Sequence, residues 1–358
     1  MKTIGLLVYD CSLVGGAERV AMNMAKELSS FYKVHLISLF SEREKALFES
    51  DKYISHVINP EPLSITKNFF KLSKKIKAYL KENNIDVLFA ITAGVVTLAV
   101  KAASGIKTKV VYCEHSNLEN RTYGKKHILR QRLGAKFSHT VVTLTERDKN
   151  NFIKMFRTPE NKVRAIGNWT EFKALDNPYN IASNKIISVG RLEYVKGYDL
   201  LTKAALKVYK KYPQWHWDIY GGGSYREKIE SDIKEKDLEG FITLKGSVSD
   251  LNKRYGDYSF FVQTSYYEGF PLTLLEAGKS GLPIISFDCP TGPSEVIKSG
   301  VNGLLIEAYN TDKMAEAIIS LIENSEQRLK MSEMAASAIL PYEKENIIGK
   351  WVDLINNL

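Results

Sequence analysis

Two glutamates eight positions apart, Glu268 and Glu276, carry the clearest chemical potential in the chain. They sit in the stretch SYYEGFPLTLLEAGKSGLPIISFDCPTGPSEVIKSGVNGLL, residues 265–305. Between them Gly269-Phe270-Pro271 reads as a turn, and the apolar run from Leu272 to Ala277 reads as the start of a helix. Pro271 suits the first helical position, because its missing N–H is one that a helix leaves unpaired anyway. Glu268 then lies in the loop ahead of the helix and Glu276 about one turn inside it. The N–H groups of Leu272, Thr273 and Leu274 point out of the helix end, where the macrodipole favours an anion. Carboxylates beside an anion site are costly unless each binds a hydroxyl. A nucleotide sugar meets these demands, with a diphosphate for the helix end, a ribose diol for one glutamate and a hexose for the other.

A second segment, SVGRLEYVKGYDLLTKAA at 188–205, places Arg191 and Lys196 five apart after an apolar run, with Gly197 free to turn the chain into a helix. Such a pair is ordinarily two surface cations. Facing the positive helix end, it instead completes a clamp on a diphosphate, Arg binding as a fork and Lys as a compact charge. Donors placed there act on the charge that develops as a diphosphate leaves. His115, within YCEHSN at 112–117, lies just past an expected strand end, and ligands of doubly wound sheets bind beyond the carboxyl ends of strands. A lone histidine is also a common structural residue. Glycines cluster twice more, in GGAER at 15–19 and in the Gly221-Gly222-Gly223 turn.

Together these motifs resemble those of the retaining glycosyltransferases of family 4. The Glu, seven residues, Glu spacing in an EGFP turn is similar to that family's signature, VGRLEYVKG to its VGR-x4-KG motif, and GGAER to its first glycine loop, all in the family's order. The resemblance implies a GT-B fold: two doubly wound Rossmann-like domains facing a central cleft, with a C-terminal helix crossing back to the N-domain. It implies that Glu276 holds the ribose hydroxyls and that Glu268 contacts the donor hexose near the reacting carbon. Arg191 and Lys196 would bind the diphosphate, and Gly15, Gly16, Gly222, Phe270, Pro271, Leu272 and Thr273 would complete the donor site, with Gly222 near the base. EHSN looks like the sequence around the histidine that the family places beside the donor sugar, which gives His115 a catalytic role next to Glu268, Arg191 and Lys196. The chain departs from the family at 167–172, where GNWTEF stands in place of the usual PNG-V-D hinge.

These residues need a scaffold, and the rest of the chain reads as one. At 358 residues it exceeds the usual single core, so two domains are expected. Short apolar runs near 3–9, 33–39, 86–91, 109–113 and 140–144 alternate with helical patterns near 67–82, 94–104, 124–136 and 146–156, as in a parallel α/β sheet. Between 168 and 184 the periodicity lapses and Asn, Pro and Ser gather, which marks a linker. Alternation then resumes to about residue 340 with strands near 185–189, 215–220, 241–244, 259–263 and 283–287. The expected organisation is 1–167, an acceptor-side domain; 168–184, a linker; 185–340, a nucleotide-sugar-binding domain; and 341–358, a helix returning to the first.

Composition excludes several classes. With 44% apolar and 25% charged residues and no apolar run of the length of a membrane span, the chain reads as an ordinary soluble protein, and cytoplasmic residence is the expectation. Cys11, Cys113 and Cys289 are odd in number and lack metal-type spacing, which argues against a disulfide framework or zinc site. No two aspartates lie two apart, so the Asp-x-Asp metal clamp is absent and neither a metal nor a cofactor is expected. The glycines after the first strand do not form G-x-G-x-x-G, which removes the main support for a redox dinucleotide.

Net charge is +9, unevenly placed. Residues 1–166 hold 28 Lys and Arg against 15 Asp and Glu, or +13, and residues 167–358 hold 22 against 26, or −4. Two basic amphipathic segments, KNFFKLSKKIKAYLK at 67–81 and GKKHILRQRLGAKF at 124–137, lie in the positive half. They suit an anionic membrane surface. No nucleic-acid partner is expected, since no recognised module accompanies the charge.

The expected function is a metal-independent, retaining transfer of a hexose or N-acetylhexosamine from a UDP-sugar to a glycan acceptor, lipid-linked, at the inner face of the plasma membrane. Retention, UDP preference and a role in lipopolysaccharide, capsule or exopolysaccharide assembly come from the resemblance. The alternatives are a UDP-N-acetylhexosamine epimerase on the same fold and a non-catalytic basic binding protein.

Overall fold

The computed structural model describes residues 1–13, 16–42, 50–119, 124–170, 172 and 179–358. They form two compact units, Met1–Asn168 with Ile347–Leu358, and Trp169–Asn346.

The first unit is built on strands β1 (Thr3–Asp10), β2 (Lys33–Phe40), β3 (Ile54–Val57), β4 (Val87–Ile91), β5 (Lys109–Glu114), β6 (Thr140–Thr143) and β7 (Val163–Ala165), with helices α1 (Gly16–Leu28), α2 (Phe69–Glu82), α3 (Ala93–Ala103), α4 (Lys125–Phe137) and α5 (Glu146–Phe156). The strands pair in parallel in the order β3-β2-β1-β4-β5-β6-β7. Parallel pairing buries both faces of a sheet, which is why its central strands are near-continuous apolar runs.

The second unit follows with β8 (Lys185–Val189), α6 (Tyr198–Lys211), β9 (His216–Tyr220), α7 (Arg226–Glu235), β10 (Ile242–Gly246), β11 (Phe260–Gln263), α8 (Leu272–Lys279), β12 (Ile284–Phe287), α9 (Pro293–Val296), β13 (Gly303–Ile306), α10 (Thr311–Glu323), α11 (Ser325–Ile339) and, after the turn Leu340–Tyr342, α12 (Lys344–Asn356). Of these elements α12 belongs, from Ile347 on, to the first unit. The sheet of the second unit is also parallel, in the order β10-β9-β8-β11-β12-β13. Trp217, Phe241, Phe260, Val262 and Phe287 anchor its main core.

Three strands escape the sequence pattern. β3, β7 and β13 are short edge strands that are only partly buried, whereas the equally short β6, β11 and β12 are buried throughout. The return segment also differs from the expected 341–358. Tyr342 stays with the second unit, donating through its hydroxyl to the Glu295 carbonyl at 2.8 Å, and the first unit resumes at Ile347.

From there α12 closes the first unit. Alternation along β4 sends Leu88 and Ala90 to the core shared with α2 and α3, and Phe89 to the opposite face. On that face Phe89 meets the ring of Trp351 edge-on at 5.6 Å. Lys2 donates to the Ile355 carbonyl at 2.7 Å and Tyr32 to the Asn356 side chain at 2.9 Å. Trp351 is nearly fully buried. Trp351→Ala is therefore expected to cost the first unit about 3–5 kcal/mol, the usual loss for a large aromatic truncated in a core. Urea unfolding monitored on that unit checks this, and a loss below about 1 kcal/mol would show that α12 is not integral to it.

Candidate functional site

The second sheet reverses its winding between β8 and β11. These strands are parallel neighbours, Ile186 opposite Phe260, yet β8 connects onward to β9 on one side and β11 to β12 on the other. The loops leaving their carboxyl ends therefore separate, and such a switch point is where α/β sheets bind ligands. Both sequence motifs emerge there, residues 190–197 after β8 and 264–271 after β11.

The first loop is tied down along its length. Gly190 donates to the Tyr220 carbonyl at 3.0 Å, Leu192 to that of Gly222 at 2.9 Å, and Tyr225 back to that of Leu192 at 2.9 Å. The triple-glycine turn thus serves as its backing, and a Cβ on Gly222 would come within 3.0 Å of the Ser247 hydroxyl oxygen. At the loop's end Gly197 has φ +63°, and a Cβ there would lie 2.1 Å from the Thr264 carbonyl oxygen. Glycine alone lets the two loops pass this closely. The result is that Lys196 reaches across, its Nζ 2.7 Å from Glu268 Oε1. Arg191 is exposed.

Glu268 is held from several sides and is 8% exposed. Its Oε1 also accepts from Gln263 Nε2 at 2.7 Å and from the Ser265 hydroxyl at 2.6 Å. Its carbonyl accepts from the Thr291 hydroxyl at 2.6 Å. Next to Thr291, Gly292 has φ +98°, and a Cβ there would sit 2.6 Å from Pro271 Cδ. The CPTGP segment therefore backs the EGFP turn by backbone contact.

The helix end differs from expectation in two respects. Pro271 is the residue before the helix, with φ −76° and an extended ψ of 106°, so α8 starts at Leu272. Proline's fixed φ suits either position, and its ψ decides. The Leu274 N–H turns back to the Pro271 carbonyl at 3.1 Å, so it does not point outward. The N–H groups of Leu272 and Thr273, which have no intrahelical acceptor, remain at the end. Phe270 is buried, its ring 5.1 Å from that of Tyr342, which makes it a packing residue of the turn. Glu276, half buried in α8, accepts from the Tyr255 hydroxyl at 3.1 Å. Burial, and then the neighbouring carboxylate, push the Tyr255 phenol well above its usual range, so it acts as a donor. Phe172 packs edge-on against that ring at 5.3 Å.

Sequence reasoning missed Tyr255, Gln263 and Ser265 as partners of these carboxylates, and Thr291 as the partner of the Glu268 carbonyl. Gln263 left one trace, a polar residue closing the apolar strand FFVQ. Tyr255 left none, since it lies on an unrelated short turn.

The remaining candidates lie in the first unit. Gly15 falls outside the described residues. Gly16 opens α1, exposed and with open space where a Cβ would stand. His115 follows β5, and its loop is pinned by Glu114, which is almost fully buried. Glu114 accepts from the Tyr112 and Ser116 hydroxyls, from the Ser116 N–H at 2.8 Å and from Gln131 Nε2 at 2.8 Å. The three cysteines are buried free thiols, and burial pushes Cys11 up to about 12.

Burial lowers the His115 imidazole to about 4, so it is neutral at pH 7. Between its ordinary value of about 6.5 and pH 4 the unfolded chain takes up a proton here that the folded protein refuses, so stability falls as pH drops through that window. His115→Gln removes this contribution. Its urea midpoint should fall less than that of the parent protein between pH 7 and 4.5, and equal falls would show that the imidazole titrates normally.

Residues 152–338 match the family model for glycosyl transferases group 1, and residues 14–172 match that for Glycosyltransferase Family 4. An uncharacterised glycosyltransferase of Haemophilus influenzae is 29% identical, covering 99% of this chain and 100% of its own length. The amylovoran biosynthesis glycosyltransferase AmsD of Erwinia amylovora is 27% identical over the same shares. Among solved structures, Anabaena HepE in complex with UDP superposes with a TM-score of 0.86 at 19% identity, covering 100% of both chains. The two parallel-sheet α/β units are those of the GT-B architecture. The epimerase alternative finds no support among these relatives.

Proposed function

This chain belongs to the group 1 glycosyl transferases, and we propose that it transfers a hexose or N-acetylhexosamine from a UDP-sugar to a lipid-linked glycan acceptor in surface-polysaccharide assembly, with retention of configuration and without a metal. The observation that carries this reading is the pairing of Lys196 with Glu268 beside the open end of α8, at the switch point of the second sheet.

In this reading the diphosphate lies against the Leu272 and Thr273 N–H groups with Arg191 and Lys196 as its cations, Glu276 binds the ribose diol and Glu268 faces the hexose. By the family resemblance Gly15, Gly16 and His115 also serve the donor, and Gly222 backs its site in the second unit. As the bond from the anomeric carbon to the phosphate oxygen breaks, the acceptor oxygen bonds to that carbon on the same face. The acceptor's proton passes to the departing phosphate. The two cations and the helix end stabilise the negative charge that collects on the UDP, which is the role a metal would otherwise fill.

The basic segments support docking at the inner face of the plasma membrane. No helix among the described residues is long and apolar enough to cross a membrane. α2 and α4 flank α3 on one face of the first sheet. Phe69 turns inward against the core, but Phe70 is 74% exposed, with Lys101 of α3 5.8 Å from its ring. Ile128 and Leu129 of α4 are 44% and 55% exposed. Lys71, Lys74 and Lys75 are also exposed. Each basic group near an anionic surface contributes roughly 1 kcal/mol.

Two measurements test the proposal. Among UDP-, GDP- and ADP-sugars, a UDP-sugar should raise the melting temperature most, with turnover unaffected by EDTA. Glu276→Ala should weaken UDP binding by about 1–3 kcal/mol, the cost of ribose hydroxyls left without their acceptor. Unchanged UDP affinity would refute the ribose role, and EDTA inhibition reversed by Mg²⁺ would refute the metal-free mechanism. For the membrane, Lys71→Glu, Lys74→Glu and Lys75→Glu together should abolish sedimentation with anionic vesicles while UDP binding persists. A parent protein that ignores such vesicles at low salt would remove the membrane from the proposal.

A further inference from the structure

We infer that Gln263 is a positioning residue of the transfer reaction, its amide and the Ser265 hydroxyl holding the Glu268 carboxylate in place when Lys196 engages the donor diphosphate. The inference rests on the roles given above to Glu268 and Lys196.

Three donors converge on Glu268 Oε1: Lys196 Nζ, Gln263 Nε2 and the Ser265 hydroxyl. They differ in mobility. The Lys196 side chain is 20% exposed and ends a flexible stem, and the proposed chemistry draws its charge toward phosphate. Gln263 closes β11 and is 7% exposed, and Ser265, two residues on, is 1% exposed. Neither can follow a ligand. Gln263 Nε2 also lies 3.2 Å from Ser265 Oγ. One amide hydrogen therefore goes to Glu268 and the other to Ser265, whose own hydrogen goes to Glu268. The three side chains form a closed ring, and the carboxylate stays fixed when the ammonium leaves.

The other end of the same amide shows that this orientation is enforced. Gln263 Oε1 is buried without a hydrogen-bond partner. A buried carbonyl left unsatisfied is destabilising, and native structures contain few. Turning the amide over would not relieve it, because Oε1 would then face a carboxylate oxygen at 2.7 Å. An apolar side chain, continuing Phe260, Phe261 and Val262, would occupy this strand end without an orphaned acceptor. A glutamine here is explained by the donor it supplies to Glu268.

The test compares the parent protein with Gln263→Met, which keeps length and loses both donors, and with Ser265→Ala, Glu268→Gln and the Gln263→Met/Glu268→Gln pair. UDP release from UDP-glucose and from UDP-N-acetylglucosamine gives kcat, calorimetry gives UDP affinity, and thermal unfolding gives stability. Gln263→Met should lower kcat at least tenfold with UDP affinity within twofold and no loss of melting temperature, and Ser265→Ala should shift kcat the same way. In the Glu268→Gln background Gln263→Met should change nothing further. A kcat within twofold of the parent in Gln263→Met, or an equal further loss in the double variant, overturns the inference while leaving Glu268 in its role. Should Glu268→Gln itself turn over normally, or UDP not bind the parent at all, the functional reading fails and this inference with it.

Discussion

A carboxylate and an ammonium group drawn together between two diverging loops set the terms for the second unit. Glu268 is largely out of water, and an ion in that position is tolerated only if it is paired and hydrogen-bonded. Lys196 supplies the opposite charge, and Gln263 and Ser265 supply the remaining donors. The contact is possible because Gly197 lets one loop run along Thr264 with no side chain between them, and because Gly292 lets a third segment press on Pro271 from behind. A side chain at either glycine would force these segments apart.

That pair lies beside the amino end of α8, and the combination gives the site a graded polarity. The helix end and the cations favour negative charge, whereas Glu268 and Glu276 favour hydroxyl groups. Glu276 is steadied by Tyr255, whose ring in turn packs edge-on against Phe172. In the proposed reading, a ligand combining anionic and polyhydroxylic parts is sorted along one short stretch of chain.

Much of this was legible before any coordinates, for physical reasons that differ by residue. Glu268 and Lys196, singled out in the sequence by turn chemistry and charge acting over a few neighbouring residues, meet as an ion pair in the structure. The central strands are visible because burial on both faces demands unbroken apolar runs. Gln263 and Tyr255 stayed hidden because their partners are set by packing: nothing within several residues of Tyr255 distinguishes it from an ordinary core tyrosine. Pro271 was misplaced by one position because its φ is common to a cap and a first helical residue, and ψ is not written in the side chain. β3 and β7 eluded the pattern because they are the edges of their sheet, where partial burial does not demand an unbroken apolar run.

The closing of the first unit by α12 bears on how the molecule comes into being. Its sheet is made of residues that leave the ribosome early, yet Trp351 and Ile355, which cover Phe89 and anchor Lys2, emerge only after the whole of the second unit. Domains fold as units during synthesis. The second unit, contiguous from Trp169 to Asn346, therefore has every residue of its core in hand while the first still exposes an apolar sheet face. The domain begun first is the domain finished last, and in the interval its uncovered face is open to chaperones and to aggregation.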